Sequence, residues 1–255
     1  MTGDKKGKRV MTEQKLSVAA ADGQAEAIVY SPGGGKFPGV LYLTDIFGIR
    51  PASEGMAKRV AAAGYTVMMP NVFYRHSKLP LIDFEFKMGE ERSMQKIGAL
   101  FGALNGAMME KDAPYYVNAL LSRDDVKGSR IAVVGYCFTG AMALRTAAVE
   151  PDKVAAAASF HGGRLVTEDA DSPHSRIPDV KAELYFGHAV EDQSATPTQI
   201  AKLEDTLKGW GGNFQSELYE DAKHGWTVPG REPYNEKQSE RHFEKLFDLL
   251  KRTIG

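Results

Sequence analysis

Three residues of this chain are of the types, and come in the order, that nucleophilic catalysis requires. Cys137, the only cysteine among 255 residues, directly follows the apolar run IAVVGY. An acid, Asp192 or its neighbour Glu191, and then His224 follow later apolar runs, each in a short polar stretch. A thiol needs a base that takes its proton and later protonates the leaving alcohol. Histidine does both near neutral pH when an acceptor fixes its tautomer. The three residues therefore predict acyl transfer through a cysteine nucleophile.

Cys137 lies where a strand has to turn into a helix. Residues 131–134 form a continuous apolar segment, which is typical of a parallel strand buried on both faces. Residues 138–149 are strong helix formers without proline. Gly135 removes a side chain that would crowd such a turn, and the first amides and the dipole of the helix favour a thiolate. The alternative is that Cys137 is a small, buried apolar residue at the end of a core strand.

The alternation of apolar strands and helical segments predicts a mostly parallel central sheet with helices on both faces. A hairpin around Asp22 and Gly23 should precede the parallel part. Helices are predicted over residues 51–63, 90–109, 114–121, 198–208 and 236–251. Residues 70–90 contain prolines and aromatic residues without a steady period, so we expect an irregular insertion over the carboxyl ends of the strands.

The motifs around the three residues resemble those of one family. Residues 135–140, GYCFTG, resemble the nucleophile elbow of the dienelactone hydrolases, which use cysteine on the α/β-hydrolase fold, although Thr139 stands where the general pattern has a second glycine. Residues 222–226, AKHGW, are similar to the family's AxHGF, and residues 43–49, LTDIFGI, resemble its EIFG segment. The loop with Asp192 resembles the family's GxxxD pattern loosely. The resemblance extends over about residues 16–250.

This resemblance implies a hydrolase that cleaves small esters or lactones through a Cys-His-Asp triad and an acyl-thioester intermediate, of the carboxymethylenebutenolidase type. The triad would be Cys137, His224 and Asp192, with Glu191 as the competing acid. No cofactor and no metal is expected. The alternative is a catalytically lapsed protein of the same fold that binds or senses a small molecule. A redox role for the thiol ranks lower, because no second cysteine could resolve a sulfenic acid.

The resemblance also implies roles for residues around the nucleophile. The backbone amides of Ile46 and Phe138 would form the oxyanion hole. Asp45 would touch the resting thiol and control when the thiolate forms; the alternative is that it only caps its loop. The expected substrate-binding residues form a mostly aromatic pocket that a small ester or lactone would fit: Phe47, Arg75, Tyr136, His161 and Trp226, with Phe73 near them. The family's arginine shortly after the catalytic histidine is missing, since none occurs before Arg231. Among the other histidines, we expect His76, His174 and His242 in loops or at the surface.

Composition and charge indicate the domain organisation, the kinds of partner and the compartment of the protein. With 43% hydrophobic residues and a net charge of −1, the chain is expected to form a single domain over residues 12–255 that binds neither nucleic acid nor membranes. Residues 1–11 are expected to be a flexible tail or an added extension. The lone cysteine and the lack of a secretory signal pattern predict a cytoplasmic protein with a small-molecule partner. The sequence does not indicate an oligomeric state.

Overall fold

A computed structural model describes residues 10–255 of the chain. Eight strands form one sheet in the order β1-β2-β4-β3-β5-β6-β7-β8. The strands are Thr12–Ala20, Gly23–Ser31, Phe37–Leu43, Thr66–Pro70, Val126–Tyr136, Val154–Phe160, Glu183–Glu191 and Phe214–Lys223, numbered β1 to β8. The hairpin β1–β2 and the β2–β4 pair are antiparallel, and all other pairs are parallel. The predicted mostly parallel sheet and its antiparallel hairpin are confirmed.

Within residues 10–255, six helices cover the sheet. They are Pro51–Ala62, Glu91–Gly102, Gly106–Leu121, Gly140–Val149, Pro197–Trp210 and Glu236–Thr253, numbered α1 to α6. Two short 3-10 segments, Cys137–Thr139 and Pro173–Asp179, add to them. Among the described residues, no helix is both long enough and apolar enough to cross a bilayer.

The helices lie on both faces of the sheet because successive strand residues point to opposite sides. Val134 belongs to a core cluster that includes residues of α1 and α6. Its neighbour Val133 belongs to a second cluster with residues of α2, α3, α4 and α5. Each central strand is therefore apolar on both sides, as the continuous apolar runs in the sequence predicted.

The structure corrects the helices predicted between residues 90 and 121. Residues 103–105 divide the first predicted helix, and Asn105 begins α3 by accepting a hydrogen bond from the Met108 amide at 2.9 Å. Pro114, predicted to open a helix, lies inside α3. Residues 71–90 contain neither helix nor strand. The tail predicted for residues 1–11 lies outside the described residues, apart from Val10 and Met11.

Candidate active site

The turn between β5 and α4 carries Cys137 in a strained backbone conformation. Cys137 has a φ of 58°, a region that non-glycine residues rarely adopt. Gly135 makes this turn possible, because a Cβ there would lie 2.2 Å from the carbonyl oxygen of Thr139. The elbow predicted from the sequence is therefore formed, and it lifts the half-buried thiol to the carboxyl ends of the strands.

Thr139 fits its position because its hydroxyl ties the turn to the neighbouring strand. The hydroxyl oxygen is buried, lies 2.9 Å from the carbonyl oxygens of both Leu43 and Thr44, and accepts from the Tyr136 amide at 3.1 Å. The end of β3, which leads directly to Ile46, is thus held against the residues flanking Cys137. This places the segments of both expected oxyanion donors, Ile46 and Phe138, beside the nucleophile.

The structure brings Cys137, His224 and Asp192 together in a continuous line of hydrogen bonds. The Nε2 atom of His224 lies 3.0 Å from the Sγ atom of Cys137, and its Nδ1 lies 2.7 Å from the Asp192 Oδ2. Asp192 follows β7 and His224 follows β8, two adjacent parallel strands. Their carboxyl ends meet at one edge of the sheet, so residues 32 positions apart become neighbours.

The electrostatics of this line favour a protonated imidazole. Burial alone would lower the pKa of His224, but the hydrogen bonds and negative charges of Asp192 and Cys137 outweigh it and raise the pKa to about 10. Burial also opposes the charge of Asp192, yet the hydrogen bonds from His224 and Ser194 hold the pKa of this carboxyl below its ordinary value. An imidazolium next to sulfur stabilises a thiolate.

Ser194, which the sequence interpretation overlooked, supports the acid. Its amide and its hydroxyl donate to Oδ1 of Asp192 at 2.8 and 2.6 Å, and the hydroxyl lies 3.1 Å from Nδ1 of His224. An aspartate that accepts from the residue two positions on is a common local turn, so the segment DQS contained the signal. Glu191, the competing acid, points outward and pairs with Lys223 at 3.5 Å.

Asp45 is directed to an arginine and not to the thiol. Both carboxylate oxygens accept hydrogen bonds from Arg50, at 2.6 and 2.7 Å, and Oδ1 also accepts from the Phe47 amide. Among the described residues, the thiol of Cys137 makes its hydrogen bond with His224 instead. The expected contact between Asp45 and Cys137 is therefore not formed, because a two-pronged ion pair holds the carboxylate elsewhere.

A cavity of about 130 Å³ lies at the thiol, and two arginines that the sequence interpretation did not assign to the site line it. Phe47 forms part of the wall, as expected. The guanidinium carbon of Arg231 lies 3.8 Å from the Phe47 ring centre and 4.7 Å from that of Phe86. Arg50 lies 5.2 Å from the Phe47 ring centre. The loop from β8 to α6 folds back over Phe47, a long-range arrangement that has no local sequence signal.

Three expected substrate contacts have other positions. Tyr136 is buried on the face of the sheet that packs against α1 and α6, with its hydroxyl 3.2 Å from Nε2 of His242. Trp226 is also fully buried, and its ring packs 5.0 Å from that of His161. Arg75 makes a two-pronged ion pair with the buried Asp112 and therefore supports the core of the insertion. None of these three side chains lines the cavity at the thiol, so the structure does not bring them to the expected positions.

Three further histidines, His161, His188 and His242, are buried. His242, expected in a loop or at the surface, is fully buried on α6. His161 lines the cavity, as expected, and its ring centre lies 5.3 Å from that of His224. Burial holds the pKa of His161 well below its ordinary value, so this ring is neutral.

Cys137, His161 and His224 could also be considered as metal ligands, since one ligand atom of each lies within 4.8 Å of the others. Metal binding requires a deprotonated imidazole. Both ring nitrogens of His224 are hydrogen-bonded in this structure, Nδ1 to Asp192 and Nε2 to Cys137, which is the arrangement that proton transfer requires.

Comparisons with known proteins agree with the fold and extend along most of the chain. A family model described as the dienelactone hydrolase family matches residues 25–254. The carboxymethylenebutenolidase of Rhodococcus opacus is 26% identical over 232 residues, which cover 85% of this chain and 82% of that protein. Hydrolase tropI of Talaromyces stipitatus is 29% identical over 204 residues, covering 79% and 75%. A solved dienelactone hydrolase-like promiscuous phosphotriesterase from metagenomic libraries has a TM-score of 0.78 at 21% identity, covering 96% of this chain and 99% of that one.

Proposed function

Because this chain belongs to the dienelactone hydrolase family and is a hydrolase of lactones or esters, we propose that Cys137 is its nucleophile, with His224 and Asp192 as base and acid. The observation that carries this proposal is the hydrogen-bonded line from the thiol through the imidazole to the carboxylate, at 3.0 and 2.7 Å. Nucleophile, base and orienting acid in mutual contact are the geometric signature of covalent acyl transfer.

The reaction begins with the sulfur of Cys137 attacking the carbonyl carbon while His224 holds the proton. The negative charge then develops on the carbonyl oxygen, where the amides of Phe138 and Ile46 stabilise it. The carbon–oxygen bond breaks, and Nε2 of His224 gives its proton to the leaving alkoxide. Water attacks the resulting thioester, His224 accepts a proton from that water, and the carboxylic acid departs as the thiolate is restored. The proposed reaction steps involve no cofactor and no metal.

We further propose that the substrate carries a carboxylate, as expected for a carboxymethylenebutenolidase-type reaction. Arg231 supports this, because among residues 10–255 its guanidinium stacks on Phe47 and Phe86 without a carboxylate at ion-pair distance. Burial and repulsion by the neighbouring Arg50 lower the pKa of Arg231, although Asp45 acts in the opposite direction. A bound carboxylate would relieve this repulsion. We place the reaction in the cytoplasm, where a catalytic thiol stays reduced.

Turnover of p-nitrophenyl acetate tests the nucleophile and the base. We expect the native protein to release p-nitrophenol with a burst of acyl-enzyme, and Cys137→Ala and His224→Ala to reduce kcat/KM at least about 1,000-fold. Mass spectrometry of the acid-quenched native protein should find an added acetyl group on Cys137. Equal background rates in all three proteins would favour the alternative, a lapsed binding or sensing protein.

The carboxylate is tested separately with Arg231→Gln. We expect KM to rise about tenfold for a lactone that carries a carboxylate and to stay within about twofold for its methyl ester, since a charged hydrogen bond contributes about 1.5–3 kcal/mol. An equal change for both substrates would contradict a role for Arg231 in charge recognition.

A further inference from the structure

The cavity at the thiol is too small for most esters. Its volume is about 130 Å³, whereas pockets that bind small molecules usually measure about 300–1,000 Å³. A substrate larger than a simple acetate must therefore extend beyond it. A second cavity of about 590 Å³ lies beside it and offers the space.

This second cavity, which we call the side cavity, lies between the α2–α3 connection, the start of α4 and the loop after β6. Its apolar wall consists of Phe101, Leu104, Met109, Phe138, Ala141 and Pro173. Phe138 stands at the centre of the wall, with its ring edge-on to Phe101 at 5.1 Å and stacked on the buried Phe73 at 6.1 Å. The residue that follows the nucleophile is thus shared by the elbow and the side cavity.

Gly163 connects the side cavity to the reacting groups. It lines the cavity, and its amide donates to the carbonyl oxygen of Cys137 at 3.3 Å. A Cβ on Gly163 would lie 3.8 Å from Cε1 of His224 and 2.9 Å from the Ser194 hydroxyl. A side chain at this position would therefore project toward Ser194 and His224, so the glycine leaves the space between the side cavity and the imidazole unfilled.

The charged groups around the side cavity are already paired with each other. Arg145 is almost fully buried and bonds to Glu110 at 2.6 Å, to the Asp171 carboxylate at 2.9 Å and to the Asp171 carbonyl oxygen. At the rim, Arg164 faces Asp169 at 3.6 Å. Since these charges compensate each other, the described residues that line the cavity offer its occupant an apolar wall and no unpaired charge.

We propose that the side cavity holds an uncharged, apolar arm of the substrate, of about six carbons or more, whose ester or lactone carbonyl lies at Cys137. This inference rests on the proposed function and narrows its substrate class. The substrate would have a carboxylate end near Arg231 and an apolar end behind Phe138, with the scissile bond between them.

Two ester series test the apolar arm and distinguish its two sources, the acyl group and the alcohol. The first series is p-nitrophenyl acetate, butyrate and hexanoate, and the second is ethyl, butyl and hexyl acetate followed by acid release. We expect kcat/KM to rise about 250-fold from the shortest to the longest member of one series, since each series adds four methylenes and each buried methylene contributes about fourfold.

Phe101→Ala removes part of the apolar wall, and Ala141→Phe fills the cavity. Tyr115→Ala is the matched control, since Tyr115 lies on α3, does not line the cavity and, at 44%, is as exposed as Phe101. The long-to-short ratio of kcat/KM should fall about fivefold in Phe101→Ala, fall further in Ala141→Phe and stay unchanged in Tyr115→Ala. If Ala141→Phe does not fold, Phe101→Ala alone decides, because its side chain is half exposed.

The outcomes separate this inference from the proposed function. If acetates are turned over but neither series gains rate with length, or if the gain persists in Phe101→Ala, the side cavity does not bind the substrate. If no ester is turned over by the native protein, the proposed function itself fails.

Discussion

Replacing Asp192 by asparagine tests the electrostatics of the site most directly. The pKa of His224 lies at about 10 instead of 6.5, which corresponds to about 5 kcal/mol of net stabilisation of the imidazolium. Asp192 and Cys137 share this stabilisation, and solvent screens it because 32% of the His224 side chain is exposed. We assign about 2 kcal/mol to the contact with Asp192, as for a hydrogen bond to a charged group.

The expected loss in Asp192→Asn is therefore about 30-fold in kcat/KM for p-nitrophenyl acetate. NMR titration of the imidazole should find the His224 pKa near 10 in the native protein. The pKa should be clearly lower in the variant, because burial still lowers it and the carboxylate that raised it is gone. Glu191→Gln is the matched control, since this neighbouring acid is 68% exposed and pairs with Lys223. If Glu191→Gln loses as much activity as Asp192→Asn, or if Asp192→Asn changes neither quantity, the assignment of the acid is wrong.

Three further predictions concern stability and the turn. Burial lowers the pKa of His242 to about 3. Between about pH 6.5 and pH 3 the imidazole therefore binds a proton in the unfolded chain but not in the folded one, so the free energy of unfolding falls as the pH decreases through this range. Urea unfolding measures this effect. The decrease in the free energy of unfolding from pH 7 to pH 4 should be about 3 kcal/mol smaller in His242→Met than in the native protein, and an equal decrease in both proteins would refute this. Arg75→Met removes the cation that pairs with the buried Asp112 and leaves this carboxylate only the hydrogen bonds from the Ala21 amide and the Tyr74 hydroxyl, which should lower the free energy of unfolding by about 3 kcal/mol with kcat/KM for p-nitrophenyl acetate within about twofold. A tenfold rise in KM would instead support substrate binding by Arg75. Gly135→Ala forces a Cβ against the Thr139 carbonyl and should reduce kcat about 100-fold through displacement of the turn, and near-native kcat would contradict this.

The sheet and the positions of the three central residues could be predicted because their signals are local. Apolar runs mark the strands, and parallel strands bring their carboxyl ends to one edge, so Cys137, Asp192 and His224 had to meet there. Ser194 was missed although its turn pattern is local as well. His242 was misplaced although its helix, over residues 236–251, was predicted, because its burial depends on a distant partner, the hydroxyl of Tyr136, that no local pattern reveals.

The arginines of the site could not be found from local patterns. Arg231 lies seven positions after His224 and returns to the site only through the path of its loop. Tyr136 is adjacent in sequence to the nucleophile, yet strand alternation turns it to the other face of the sheet. Arg75 is drawn away from the cavity by Asp112, a partner 37 positions later in the chain.

The hydroxyl of Thr139 has a consequence for how this enzyme could acquire new substrates. This hydroxyl bonds both to the end of β3 and to the turn before α4. It therefore holds together the two backbone segments that face the scissile carbonyl. Mutations that move these two segments apart would break the hydrogen bonds of Thr139 and abolish the activity as well. Evolution, or an engineer, is therefore left with the surrounding loops, residues 71–90 and residues 228–235 beyond the catalytic histidine, as the parts of the molecule that can be remodelled without disturbing the reaction centre.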